Sequence, residues 1–171
     1  MARKSRLVET RMVSEYLLKT YSKFSYIMDV PLGLVSEGLM ASQGYQHAIN
    51  AARPFRPRAD AIVILPNFLV LVEAKVWNTL NGLAKLPLYK SLVPLTPELK
   101  QYLPRDVLME LVVGAAPSNL EIMARDAGVN LKIFNPPWLQ EVVDSMNKYW
   151  TTEYQAARLE KKALREYYGL E

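Results

Sequence analysis

The chain contains no cysteine among its 171 residues. That absence excludes disulfides, thiolate metal sites and thiol nucleophiles together. Histidine is nearly absent as well: His47 is the single one, no acidic residue stands near it in sequence, and we assign it no role. Apolar runs are short, none longer than a strand needs, so neither a membrane span nor the apolar core of a signal peptide is expected. The N-terminal "MARKSRLVETRM" has basic residues with nothing apolar behind them. The expectation from these absences is a cytoplasmic protein. Low-complexity tracts and internal repeats are also missing.

What is present describes a folded domain. Half the residues are hydrophobic and 22% are charged, a balance that a disordered segment does not have. The length suits one full hydrophobic core and is short for two. A net charge of +4 permits a polyanionic partner without requiring one.

Periodicity then divides the chain. Met12, Val13, Tyr16 and Leu17 recur on one face of a helix spanning about 4–21. "FSYIMDVPLG" reads as a short strand. Residues 36–52 read as a weakly helical insertion, followed by the basic loop "RPFRPR" at 53–58. "AIVIL", the pair Pro66-Asn67 and "FLVLV" predict a β-hairpin. Leucines at 80, 83, 86 and 92 predict a helix that Pro87 kinks, and a proline-rich link follows at 94–104. Next come a buried strand (107–116), a helix with Ser118 as its cap and Gly128 as its stop, a strand "VNLKIFN", a helix opened by prolines, and a charged helix over 149–171. A hairpin followed by βαβ units gives an α/β fold with a mixed central sheet and helices on both faces. The expected division is a domain over 1–147, including the insertion and basic loop at 36–58, and a helical extension over 148–171.

"DAIVILPNFLVLVEAK" (60–75) places Asp60, Glu73 and Lys75 at the ends of otherwise apolar strands. Glu73 and Lys75, two residues apart, share a face. A hairpin turning symmetrically about Pro66-Asn67 sets Asp60 directly across from Glu73, with Cβ atoms roughly 4.5–5.5 Å apart. A wider or bulged loop, which Pro66 would favour, shifts that pairing. Two carboxylates so close repel each other unless a cation lies between them. Magnesium suits two carboxylates, keeps water in its remaining positions, and acidifies a water that attacks phosphorus. Lys75 stands where it orients that water or neutralises developing charge. Glu9 lies in the middle of the apolar face of the first helix, whereas Glu15 lies well off it. A glutamate there needs a partner, either this metal site or an arginine. A cross-strand salt bridge at a sheet edge is the plainer account of residues 60, 73 and 75, but it leaves Glu9 unexplained.

A glutamate in an N-terminal helix, an aspartate at a strand start, and E-x-K closing the next strand before a helix resemble the PD-(D/E)xK nuclease superfamily. The likeness runs over about residues 4–135 and is nearest to phage and Holliday-junction-resolvase-like members. It implies a restriction-endonuclease-like fold and a magnesium-dependent DNA endonuclease of phage or mobile-element origin, with manganese able to substitute. Asp60 and Glu73 would then ligate the metal, Lys75 would assist the water, and Glu9 would complete or support the site. Ala59 stands where the motif has proline. The following helix carries "KLPLY" where many members have Q-x-x-x-Y, which assigns Lys85 and Tyr89 to phosphate contact. Arg53, Arg56 and Arg58, just before Asp60, are either DNA-binding residues or a solvated loop. The expected partner is DNA, with a homodimer or other assembly built through the C-terminal helix. The competing expectation keeps the fold without the chemistry, as a virion component or a nucleoprotein-assembly protein.

Overall fold

In a computed structural model, residues 2–147 and 151–168 are described, with side chains from Arg6 to Ser145 and from Thr151 to Tyr168. The chain divides into two compact units, Met1–Phe134 and Asn135–Glu171.

The first unit is built on five strands, β1 (Ser25–Pro31), β2 (Arg58–Ile64), β3 (Phe68–Lys75), β4 (Asp106–Val113) and β5 (Val129–Ile133), lying side by side in chain order. β1, β2 and β3 pair antiparallel, while β3, β4 and β5 pair parallel. This is the expected mixed sheet of an α/β domain, and it agrees with a restriction-endonuclease-like arrangement.

The β2–β3 hairpin closes with a two-residue turn, in which the Leu65 amide donates to the Phe68 carbonyl at 2.9 Å. The register Ile64↔Leu69, Val63↔Val70, Ile62↔Leu71, Ala61↔Val72 is the symmetric one. Paired residues stop at Ala61 and Val72, while β3 continues beside β4 as far as Lys75↔Val113. The sheet therefore forks just where the charges begin.

Helices cover both faces. α1 (Ala2–Thr20) lays Met12, Val13, Tyr16 and Leu17, all buried, against β2 and β3. On the same side Glu110 of β4 is buried and accepts hydrogen bonds from the hydroxyls of Tyr16 (2.7 Å) and Tyr21 (3.0 Å). Burial raises the Glu110 pKa even though both tyrosines favour the carboxylate. On the opposite side α4 (Thr79–Leu92) and α5 (Ser118–Asp126) cover the main core, with Leu83, Leu86, Leu120 and Ala124 packed on Leu69, Leu71, Met109 and Leu111.

The chain leaves Lys75 for α4 through Asn78, at φ 52, a left-handed conformation that asparagine tolerates better than most residues. α4 runs unbroken through Pro87. The insertion forms α2 (Glu37–Gln43) and α3 (Tyr45–Ala52), hinged at Gly44 with φ 80. The 94–104 link contains two short 3-10 turns, Val93–Leu95 and Pro97–Tyr102. Ser118 begins α5 rather than capping it: Pro117 holds the cap position, and no side chain caps there.

The second unit contributes α6 (Pro137–Asn147) and α7 (Thr152–Tyr167), the latter capped by the Thr151 hydroxyl, which accepts from the Tyr154 amide. The parts of the 149–171 expectation at 149–150 and 169–171 lie outside the described residues. Among the described residues no helix is long and apolar enough to cross a membrane.

Candidate active site

Four charged side chains converge at the fork. Asp60, next to the last paired residue of β2, turns its carboxylate across the gap, and its Oδ2 accepts from the Ala74 amide at 2.8 Å. A side chain thus replaces the backbone acceptor where the β2–β3 ladder ends. Glu73 faces the same gap. Its side chain is 3% exposed, with Oε1 3.1 Å from Lys75 Nζ. Its other oxygen, Oε2, is buried without a hydrogen-bond partner.

Lys75 is the hub. Its ammonium also lies 3.3 Å from Glu9 Oε2 and 4.0 Å from Asp60 Oδ2, and donates to the Ala74 carbonyl at 3.0 Å. Glu9 comes from α1, whose apolar face belongs to the other side of the sheet, and reaches the strand end. There its second oxygen accepts from the Val76 amide at 3.4 Å. Glu15 points elsewhere and pairs with Arg11 at 2.8 Å.

The electrostatics follow from burial and proximity. Burial, then the Asp60 charge, pushes the Glu73 pKa up to about 7 against the pull of Lys75 and Lys85. For Lys75 burial disfavours the ammonium, but Glu73, Asp60 and Glu9 outweigh it and hold the pKa above its ordinary value. Lys75 is therefore a cation and not a base.

Lys85 and Tyr89, one turn apart on α4, border the same cluster: Lys85 lowers the Glu73 pKa, and Tyr89 has its own pKa raised by burial and by Glu73 and Asp60. The three arginines of the basic loop separate. Arg56 is buried, 5% exposed at its side chain, and its guanidinium donates two hydrogen bonds to the Glu98 carboxylate (2.7 and 2.9 Å) and further ones to the carbonyls of Pro31 and Leu32. It pins the loop, with four of its five N–H donors engaged inside the protein, which corrects both expectations for it, a DNA-binding residue or part of a solvated loop. Arg53 and Arg58 stay near the surface, both beside Asp29.

Sequence reasoning missed Gly82. A Cβ built there would lie 2.6 Å from Lys75 Cγ and 3.0 Å from Leu111 Cδ1. The bare turn of α4 is the space through which the lysine stem passes. A glycine inside a leucine-patterned helix, seven residues beyond E-x-K, was the available signal.

No protein-family model and no curated protein matches the chain. Among solved structures, it is similar to a repair endonuclease from Pyrococcus abyssi, at a TM-score of 0.46 and 13% identity over 74% of this chain. The match spans 47% of that longer protein, about half its length. Similarity of this degree says nothing of chemistry, which has to be read from the side chains.

The donor set fits a hard divalent cation. Asp60 and Glu73 offer oxygens on the two sides of one fork, and the orphaned Glu73 Oε2 is an acceptor with nothing to accept from. Among the described residues no three acidic or histidine side chains gather as a full protein cage. The fit is to an ion held by two carboxylates with water completing its shell, as magnesium usually is.

Proposed function

We propose that the chain is a metal-dependent nuclease of the PD-(D/E)xK type, hydrolysing phosphodiester bonds of DNA. The observation that supports this most is the buried, unpartnered Glu73 Oε2 beside Asp60, in a fork that Lys75 and Glu9 also enter. A buried carboxylate oxygen without a donor costs about 1–3 kcal/mol or more, a cost that a purely structural site would avoid.

Asp60 and Glu73 would hold magnesium, or manganese in its place; the ion supplies an acidified water and charge stabilisation at phosphorus. The rest is done by this chain. Lys75, held protonated, neutralises charge developing on the phosphoryl oxygens and orients the attacking water without accepting its proton. Glu9 positions Lys75 by pairing with its ammonium and fixes the strand end through the Val76 amide. Lys85, on the near side of α4, adds positive potential where the phosphate arrives, and Tyr89 borders the same approach.

One observation favours a second reading. Lys75 alone meets all three carboxylates, so the cluster is also a nearly complete ion-pair network for a non-catalytic protein, such as a virion or nucleoprotein-assembly component. Purified protein with linear, nicked, branched and single-stranded DNA, in magnesium or manganese, separates the two. Cleavage that disappears in Glu73→Gln supports the nuclease. No cleavage of any substrate, together with no metal binding by calorimetry, leaves the ion-pair network.

A further inference from the structure

Beside the fork, and on its β1 side, Asp29 has a φ of 55, a left-handed conformation within a strand that few non-glycine residues adopt. Continuing the β1–β2 register between Met28↔Ala61 and Val30↔Ala59 sets it across from Asp60. Arginines from three different elements meet at its carboxylate. Arg58 of β2 bonds Oδ2 and the Asp29 carbonyl, Arg6 of α1 lies 3.7 Å from Oδ1, and Arg53 of the basic loop lies 4.0 Å from Oδ2.

One carboxylate faces three guanidiniums, an excess of two positive charges. The two longer contacts are beyond hydrogen-bond length. Arg58 Nε is buried with no partner at all. The cluster is thus underfilled in charge and in acceptors. Arg56, pinned on Glu98 and on the carbonyls of Pro31 and Leu32, fixes the backbone from which Arg53 and Arg58 project. Arg58 and Asp60 are two residues apart on one strand, a separation of roughly 6–7 Å, which is that of successive phosphates along a nucleic-acid strand.

We propose that Arg6, Arg53 and Arg58 form a binding site for the DNA phosphate next to the one at the fork, and that Asp29 is a built-in competitor which gathers the arginines and yields to that phosphate. The site rests on the nuclease reading for its position but not for its test. A phosphodiester carries the same single charge and pair of free oxygens as the Asp29 carboxylate, but it is not tethered to a left-handed backbone and can close on the guanidiniums that stand 3.7 and 4.0 Å from Asp29. Asp29 keeps the three guanidiniums together in the free protein and sets a threshold: weak anions do not displace it.

The test is binding without turnover, in EDTA, by anisotropy of a fluorescein-labelled oligonucleotide across a salt series. Asp29→Asn is the decisive variant, because asparagine accepts a left-handed φ and removes only the charge. It is expected to bind DNA several-fold more tightly than the wild type. Arg6→Gln, Arg53→Gln and Arg58→Gln are each expected to weaken binding and lower the slope of log K against log salt by about 0.7–0.9. Arg58→Lys, which retains charge and loses the fork, should keep the slope and lose affinity. Wild-type binding with Asp29→Asn unchanged or weaker, and slopes unmoved by the arginine variants, overturns the phosphate site and leaves the nuclease reading standing. Thermal stabilisation by inorganic phosphate through these arginines, without their affecting oligonucleotide affinity, overturns it too, in favour of a free-anion site. Intact binding effects in a protein that cleaves nothing support the phosphate site and count against the nuclease reading alone.

Discussion

Glu73 and Lys75 meet through one carboxylate oxygen only, at 3.1 Å, and the other oxygen of the same carboxylate is buried with no partner. An ion pair meant for stability alone would engage both oxygens or leave the second one in water. The half-used carboxylate makes the cluster sensitive to protons and to hard cations, and these sensitivities are measurable.

The first concerns pH. Burial and Asp60 lift Glu73 to about 7, against an ordinary value of 4.5 in the unfolded chain. Between those values the folded protein holds a proton that the unfolded chain has lost. Stability from this group is therefore fully present below about 4.5, falls as pH rises toward 7, and levels off above. The full change is on the order of 3 kcal/mol. Urea unfolding from pH 4.5 to 8 should show this decline in the wild type and a flatter curve in Glu73→Gln.

Metal affinity runs the opposite way. An ion needs Glu73 ionised, so magnesium affinity should rise about tenfold per pH unit below 7 and then level. Calorimetry at pH 5.5, 6.5 and 8 reads this directly. In Asp60→Asn binding should be lost at every pH, because one of the two anionic ligands is gone.

Gly82→Ala tests the space for Lys75. The added methyl meets Lys75 Cγ at 2.6 Å and Leu111 Cδ1 at 3.0 Å, and Lys75 Cγ lies near the base of its side chain, so the stem itself must move. Overpacking of this kind costs about 1–3 kcal/mol. DNA cleavage should fall by more than the stability loss explains, with kcat lowered while the Kd for DNA in EDTA is unchanged.

Arg56 and Arg53, three residues apart, should separate cleanly. Arg56→Ala leaves Glu98 without its partner and two carbonyls without a donor, and is expected to lower stability by about 3–5 kcal/mol. Arg53→Ala, at a half-exposed side chain, should stay within about 0.5 kcal/mol. Chemical denaturation of both variants decides it.

These contrasts also show what could be read from sequence. The hairpin register was legible because alternation and a two-residue turn are local. Glu9 was legible because helical spacing put a charge amid Met12, Val13 and Tyr16. Arg56 was not: "RPFRPR" reads as uniformly solvated, and only Glu98, forty-two residues away, makes one of its arginines internal. Asp29 carried no local signal for its left-handed backbone, and its arginines come from three separate elements. Glu110 sat unnoticed in an apolar strand, because the tyrosines that satisfy it are supplied by α1 and the segment after it. Ser118 failed as a cap for the opposite reason: the neighbouring Pro117, whose φ is fixed, took the position.

The contact between Gly82 and Lys75 bears on portability. E-x-K is three residues long and looks transferable to any strand that ends beside a helix. Here the lysine reaches the fork only because the helix it passes has no side chain at that turn. A transplanted E-x-K, or a recombinant that joins this strand to another helix, would keep the motif and lose the path of its lysine. What must be inherited with E-x-K therefore runs at least from Asp60 to Gly82, and Glu9 of α1 has to come with it.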